Sequence, residues 1–309
     1  MKEIKQIGVV GGGLIGMSWA SLFLARGFEV VVVEPRQQAQ AELHHFVEDA
    51  WPQLQALGLA VSDTARHALF STNMQELAGV DYVQENGPDR LEIKRQLVRQ
   101  LEGVIAPDVV IASSSSSLLA SDIQNESQHP QRILVAHPMN PPHLVPMVEL
   151  VAGRQTSAAS MQTAESFYRQ MQRVTIRLQK EVVGHLANRL TSALYREAVH
   201  IAAQGIASVE DIDKAITYGP GMRWALLGPH LIYHLGGGAG GYRHYLDHLG
   251  PTQEARWREL GTSELTEAVK EVLIAGMEEE LAGQDRDSLA QRRDQALVEL
   301  FRLKKKYGF

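Results

Sequence analysis

Among the side chains that can move a proton, His137 stands in the most suggestive setting. It follows an apolar run at 132–136 and precedes Pro138. An imidazole titrating at about 6.5 can take a hydroxyl proton near neutral pH. Oxidation of an alcohol needs that removal as hydride leaves carbon. Glu149 lies in the next apolar run, 145–151. It can accept a hydrogen bond from the second ring nitrogen, orient the ring and stabilise the imidazolium. The same spacing also suits a structural histidine beside an unrelated carboxylate, and the residues by themselves leave both readings open.

Such a pair needs elements that bring it to one edge. Apolar runs at 7–10, 28–33, 69–72, 81–86, 109–112, 132–136, 145–151 and 174–178 read as strands. Helical patterns stand between them at 14–26, 37–57, 63–68, 89–101 and 157–172. This alternation predicts an α/β fold: a doubly wound Rossmann domain with a mainly parallel sheet. Ligands of such a sheet bind outside the carboxyl ends of its strands. His137, Asn86 and the serine run from Ser113 to Ser117 fall at that edge.

The same edge carries Gly11, Gly13 and Gly16, spaced G-x-G-x-x-G before a helix that opens with Leu14 and Ile15. The first glycine permits a tight turn, the second lets the backbone approach a pyrophosphate, and the third lets helix and strand pack closely. The helix N-terminus offers free N–H groups to the anion. Glu34 ends the second strand, where an acid can bind the ribose hydroxyls and repel a 2′-phosphate. These features predict NAD as the cofactor. Arg36, close by, weakens the preference over NADP.

Beyond residue 182 the strand pattern stops. Helices are predicted at 186–204, 209–218, 241–249, 265–281 and 289–306, with Ser208 and Asp211 as a capping box. The expected organisation is an NAD-binding Rossmann domain over 1–181 and an all-helical substrate and dimerisation domain over 182–309, paired as a homodimer through its apolar faces. The length of 309 residues suffices for two domains. The net charge of −6 gives no reason to expect nucleic acid or an anionic membrane. Lys304, Lys305 and Lys306 end a helix, where the dipole favours them. The absence of cysteine excludes disulfides, thiolate metal sites and thiol nucleophiles. Lys2 to Lys5 run into the first strand without the architecture of a secretion signal, and no apolar run approaches a membrane span. The cytoplasm, where NAD is available, is the expected location.

Taken together, Gly11, Gly13 and Gly16, Glu85-Asn86, Ser113 to Leu118, His137-Pro138-Met139-Asn140-Pro141, Val148-Glu149-Leu150 and Asn188-Arg189-Leu190 resemble the L-3-hydroxyacyl-CoA dehydrogenase family. The resemblance runs over nearly the whole chain with the motifs in order. It implies that His137 is the catalytic base and Glu149 its partner. It further implies that Ser116 and Asn188 bind the reacting oxygen of the substrate, and that Glu85 and Lys94 meet the cofactor.

The chain departs from the acyl-CoA branch at two places. Ser114 stands where that branch usually has asparagine, and Gly219-Pro220-Gly221-Met222-Arg223-Trp224-Ala225 replaces its tyrosine-proline-methionine stretch. This form resembles the relatives that act on free hydroxy acids, the carnitine and gulonate dehydrogenases. A guanidinium can hold a free carboxylate by a bidentate pair, so Arg223 is the expected substrate anchor, with Trp224 beside it. The segments 233–238 and 241–245 resemble the carnitine branch, whereas 137–142 and 291–294 resemble the gulonate branch. The expected substrate is a small free L-3-hydroxy acid, L-carnitine ahead of L-gulonate or another short 3-hydroxy acid; the alternatives are a 3-hydroxyacyl-CoA dehydrogenase and, in a different class, a non-catalytic crystallin-like structural protein. A trimethylammonium group favours aromatic faces, which Tyr218, Trp224, Tyr233, Tyr242 and Tyr245 can supply. His230 with His234, and His244 with His248, are spaced like metal ligands, but no HExxH is formed and hydride chemistry needs no metal; no metal is expected.

Overall fold

The computed structural model describes residues 3–62 and 66–309. The chain divides into two compact units, Met1–Arg189 and Leu190–Phe309.

The first unit is built on an eight-stranded sheet. Its elements run β1 (Gln6–Val10), α1 (Leu14–Ala25), β2 (Glu29–Val33), α2 (Ala39–Ala56), β3 (Leu69–Ser71), β4 (Tyr82–Glu85), α3 (Leu91–Glu102), β5 (Val110–Ser113), α4 (Ala120–Gln124), β6 (Ile133–Pro138), β7 (Met147–Ala152), α5 (Ala158–Gln170) and β8 (Val174–Arg177). The strand order is β3-β2-β1-β4-β5-β6-β7-β8. Every neighbouring pair is parallel except β6 with β7. That hairpin sets His137 opposite Glu149 in register. The expected helix at 63–68 lies partly outside the described residues; 66–68 form neither helix nor strand.

Buried apolar runs make the inner strands, most regularly the four valines of β2. Val30 to Val33 are all buried, as a parallel strand covered on both faces requires. α1 is apolar nearly all round and is sandwiched in the core. Trp19 stacks on Phe23 at 5.4 Å and tilts against Tyr168 at 5.5 Å, so α1 and α5 share one aromatic layer. Gly27 turns the chain out of α1 at φ 85°, a left-handed conformation that glycine adopts without strain.

α6 (Ala187–Ala203) carries the chain into the second unit, which continues with α7 (Val209–Thr217), α8 (Pro220–Trp224), α9 (Pro229–Gly236), α10 (Gly241–Glu259), α11 (Glu267–Leu281) and α12 (Arg286–Tyr307). Ser208 accepts the Asp211 N–H at 3.1 Å and so caps α7. α8 and α9 escape the periodicity argument because they are short and each opens on a proline. α10 runs past the expected end at 249 and tolerates Pro251 in its interior. The unit buries few apolar side chains. α12 buries only Val298 and α11 none, while Leu190, Tyr195, Ile206, Ile274 and Leu303 are exposed. Among the described residues no helix is long and apolar enough to cross a membrane.

Candidate active site

β1 ends in the glycine turn, and its geometry can be tested at each glycine. Gly11 sits at φ 93°, and a Cβ there would lie 2.8 Å from the Asn86 carbonyl oxygen. A Cβ on Gly16 would lie 1.9 Å from the Gly11 carbonyl oxygen, so only hydrogen lets α1 dock on the turn. A Cβ on Gly13 would meet no protein atom within 4 Å: the space beside it is open. The first turn of α1, with Leu14 and Ile15, has no acidic residue. This is the cradle a pyrophosphate needs. A cavity of about 970 Å³ adjoins it, lined by Gly11, Gly13, Glu34, Arg36, Asn86 and Gly87 among others. The residues present therefore fit a dinucleotide.

Glu34 closes the far side of the turn. One carboxylate oxygen accepts the Gly12 N–H at 2.7 Å. The other accepts the Arg36 backbone N–H at 3.1 Å and its Nε–H at 2.9 Å. Arg36 also reaches Glu42 at 3.3 Å. The guanidinium that weakened the sequence argument for NAD is thus held between two carboxylates, which raise its pKa.

Asn86 borders the same cavity, with its side chain turned inward. Its amide donates to the Gln84 carbonyl at 3.0 Å and its oxygen accepts from the Ser114 hydroxyl at 2.6 Å. Ser114 also accepts from Gln84 at 2.9 Å and from the Trp19 indole at 3.3 Å. What Asn86 offers to the cavity is therefore mainly backbone.

Glu85 and Lys94 do not line the cavity. Both are 1 % exposed, and they close on each other, with Nζ 3.0 and 2.9 Å from the two carboxylate oxygens. Glu85 also accepts the Gly87 N–H at 2.6 Å and the Ser113 hydroxyl at 2.6 Å, and Lys94 donates to the Gly87 carbonyl at 2.8 Å. Burial demands this full pairing. In this structure the pair packs behind the Asn86-Gly87 turn and shapes it.

The proton-moving residues gather at the ends of β5, β6 and β7. His137 Nδ1 lies 2.7 Å from a Glu149 oxygen. The other Glu149 oxygen accepts the N–H groups of Leu186 at 2.8 Å and Ala187 at 2.9 Å, at the head of α6. Burial by itself pushes the Glu149 carboxyl up, but the bonds from His137, Ala187 and Leu186 outweigh it and hold it below the usual carboxylate range. An ionised Glu149 requires the proton of the His137 bond on Nδ1, which leaves Nε2 as the basic nitrogen.

Ser116 and Asn188 meet each other. The Asn188 amide donates to the Ser116 carbonyl at 3.1 Å. The Ser116 hydroxyl donates to Asp89 at 2.8 Å, and its N–H to the same carboxylate oxygen at 3.0 Å. Asp89 takes the Ser115 hydroxyl on its second oxygen. Burial pushes the Asp89 carboxyl up, but these bonds more than offset it and the carboxyl stays below its ordinary value. Sequence reasoning missed Asp89, which it read only as the first residue of the predicted helix 89–101, and it missed His185. The His185 ring centroid lies 5.3 Å from that of His137.

Arg223 and Trp224 lie exposed on α8 in the helical unit. Tyr233 and Tyr245 stack at 4.5 Å and Tyr242 lies parallel to Tyr245, so these rings cover one another's faces. Tyr218 and Trp224 remain exposed, at 79 % and 41 %. His230 Nδ1 pairs with the Tyr242 hydroxyl at 2.8 Å and His234 Nδ1 accepts the Tyr242 N–H at 3.1 Å. Among the described residues no three potential ligands converge on a metal position.

A doubly wound sheet with a glycine cradle, and a buried histidine–carboxylate pair on the same sheet edge, is the frame of a nicotinamide-dependent dehydrogenase. The chain belongs to the 3-hydroxyacyl-CoA dehydrogenase family: residues 6–182 match the family's NAD binding domain and 184–270 its C-terminal domain. Family and relatives make it an NAD-dependent oxidoreductase of the CH–OH class. L-carnitine dehydrogenase of Streptomyces coelicolor is 42 % identical over 308 residues, spanning 99 % of this chain and 97 % of that protein. L-carnitine dehydrogenase of Pseudomonas aeruginosa is 38 % identical, spanning 96 % and 92 %. Among solved structures, FadB2 of M. tuberculosis is 26 % identical with a TM-score of 0.68, covering 89 % of this chain and 95 % of its own. An NAD+ dependent 5-formyl-3-hydroxy-2-methylpyridine 4-carboxylic acid 5-dehydrogenase shares the fold, with a TM-score of 0.85, 24 % identity and coverage of 98 % and 99 %.

Proposed function

We propose that this chain oxidises the 3-hydroxyl of a small free L-3-hydroxy acid, with L-carnitine as the substrate that fits best. The observation that carries the chemistry is the His137–Glu149 pair locked by the head of α6. NAD, when bound, supplies the hydride acceptor. Gly11, Gly13, Leu14, Ile15 and Gly16 hold its pyrophosphate, and Glu34 its ribose hydroxyls. His137 Nε2 takes the hydroxyl proton. Glu149, fixed as a carboxylate, stabilises the imidazolium that results. Ser116 and Asn188 orient the reacting oxygen. Arg223 holds the substrate carboxylate, and the open faces of Trp224 and Tyr218 suit a trimethylammonium group. The full-length likeness to L-carnitine dehydrogenases supports this substrate.

The experiment is NADH formation with L-carnitine, L-gulonate, 3-hydroxybutyrate and 3-hydroxybutyryl-CoA side by side. Preference for carnitine supports the reading. Preference for gulonate or hydroxybutyrate keeps the proton chemistry and discards the cation site. Activity on the CoA ester alone overturns the role of Arg223.

We infer further that the protein works in the cytoplasm as a homodimer paired through the helical unit. The exposed apolar side chains of α6 and α11 and the nearly unburied α12 support the dimer. A cavity of about 410 Å³ between α6, α7 and α11 is apolar with Asp213 and Glu278 on its wall, and α12 is rich in Arg and Lys. Light scattering on the eluted protein gives the mass: a monomer at working concentration overturns the dimer.

A further inference from the structure

His185 is fully buried, and the proton chemistry above makes no use of it. It follows Gly184 in the left-handed region, with φ 48° after φ 75°. A non-glycine residue there is strained, although histidine tolerates it better than most. The turn accomplishes two things. It points the next two N–H groups, of Leu186 and Ala187, at Glu149. It also sends the His185 ring beneath the serine run, where Nε2 lies 3.0 Å from the Ser115 carbonyl oxygen. A carbonyl accepts only, so Nε2 carries the proton. Burial lowers the pKa of the ring, the Ser115 bond and the neighbouring His137, Glu149 and Asp89 charges modify it, and the net direction keeps it neutral. Nδ1 has no partner.

Three residues on, Asn188 donates to the Ser116 carbonyl at 3.1 Å. The short segment from His185 to Asn188 therefore holds two successive carbonyls of the serine run and one oxygen of Glu149. We propose that His185 is a positioning residue, a tie that fixes the Ser115-Ser116 backbone against the His137–Glu149 pair so that proton acceptor and oxygen-binding groups share one frame. This rests on the reading of His137 as the base.

Four variants test it. His185→Phe and His185→Met fill the space without a donor. His185→Gln keeps an N–H that reaches Ser115. His185→Asn, polar but too short, stands in should the first two not fold. The donor-free variants are expected to lose kcat by about 10- to 100-fold, as misplacement of a reacting group does, with the Kd for NADH unchanged. His185→Gln is expected to recover most of the loss. Wild-type kcat in the donor-free variants, or a Gln variant no better than them, overturns the proposal. His137→Ala measured alongside separates the two readings. Full activity there overturns the base itself, whereas loss there beside an unimpaired His185→Phe overturns only the tie.

Discussion

Arg36 is bound to Glu34 twice through one oxygen, from its backbone N–H at 3.1 Å and its Nε–H at 2.9 Å. The cation at the cofactor cavity is thus occupied by the carboxylate proposed above to hold the ribose hydroxyls of NAD. Removing the acid takes away its negative charge and leaves the guanidinium with only its exposed Glu42 contact at 3.3 Å. Glu34→Ser is therefore expected to tighten NADPH binding and weaken NADH binding. Hydrogen bonds to charged groups are worth about 1.5–3 kcal/mol, so each shift should be roughly tenfold to a hundredfold. Fluorescence titration of both reduced cofactors measures it. If adding Arg36→Met to Glu34→Ser leaves the NADPH affinity as it was, Arg36 has no such role.

Glu149→Gln keeps the shape of the pair but removes the charge that stabilises a protonated His137. It also presents an amide where Leu186 and Ala187 donate. The expected result is a fall in kcat of about 10²-fold or more, within the range ascribed to positioned acid–base groups. NADH binding should be unaffected, since Glu149 lies on β7, away from the glycine turn. An enzyme with wild-type turnover would show that His137 works without its carboxylate.

The strands and the glycine turn were legible because each rests on local pattern: a valine run for β2, an apolar run for β6, and glycines whose spacing has a steric reason. His137 and Glu149 were legible through the family resemblance, whereas the antiparallel β6–β7 pairing that sets them opposite each other was not read from the sequence. Asp89 and His185 were not. Their partners, Ser116 and Ser115, lie 27 and 70 residues away in sequence, and nothing in either residue's neighbourhood announces a distant carbonyl or hydroxyl. The mutual pairing of Glu85 and Lys94 was not legible for a related reason. Pattern assigns them to the right turn but cannot tell a side chain facing a ligand from one that supports the turn from behind.

That support has a measurable cost when broken. Lys94→Met leaves the Glu85 carboxylate buried at 1 % exposure without its cation. Breaking a buried pair on one side destabilises by roughly 3–5 kcal/mol. Urea unfolding should show a lower midpoint with an unchanged slope. The cofactor Kd should also rise, because Gly87 loses the bond that holds its carbonyl. A variant as stable as the wild type would mean that Glu85 takes up a proton or water instead.

His143 gives the chain a pH dependence separate from its chemistry. Its Nδ1 lies 2.8 Å from the Ser18 hydroxyl and its Nε2 2.9 Å from the Gln53 side-chain oxygen, while Phe46 packs edge-on to the ring. Burial, aided by the nearby Arg173 cation, lowers its pKa from the usual 6.5 to about 4. The unfolded chain therefore binds this proton first as pH falls. Stability from the group is complete above about 6.5 and is lost progressively toward 4. A gap of that size corresponds to about 3 kcal/mol at its limit. Urea unfolding of the wild type should weaken steeply between about pH 6.5 and pH 4.5, and His143→Gln should flatten that part of the curve. Equal pH slopes in the two proteins would show that other groups govern the acid sensitivity.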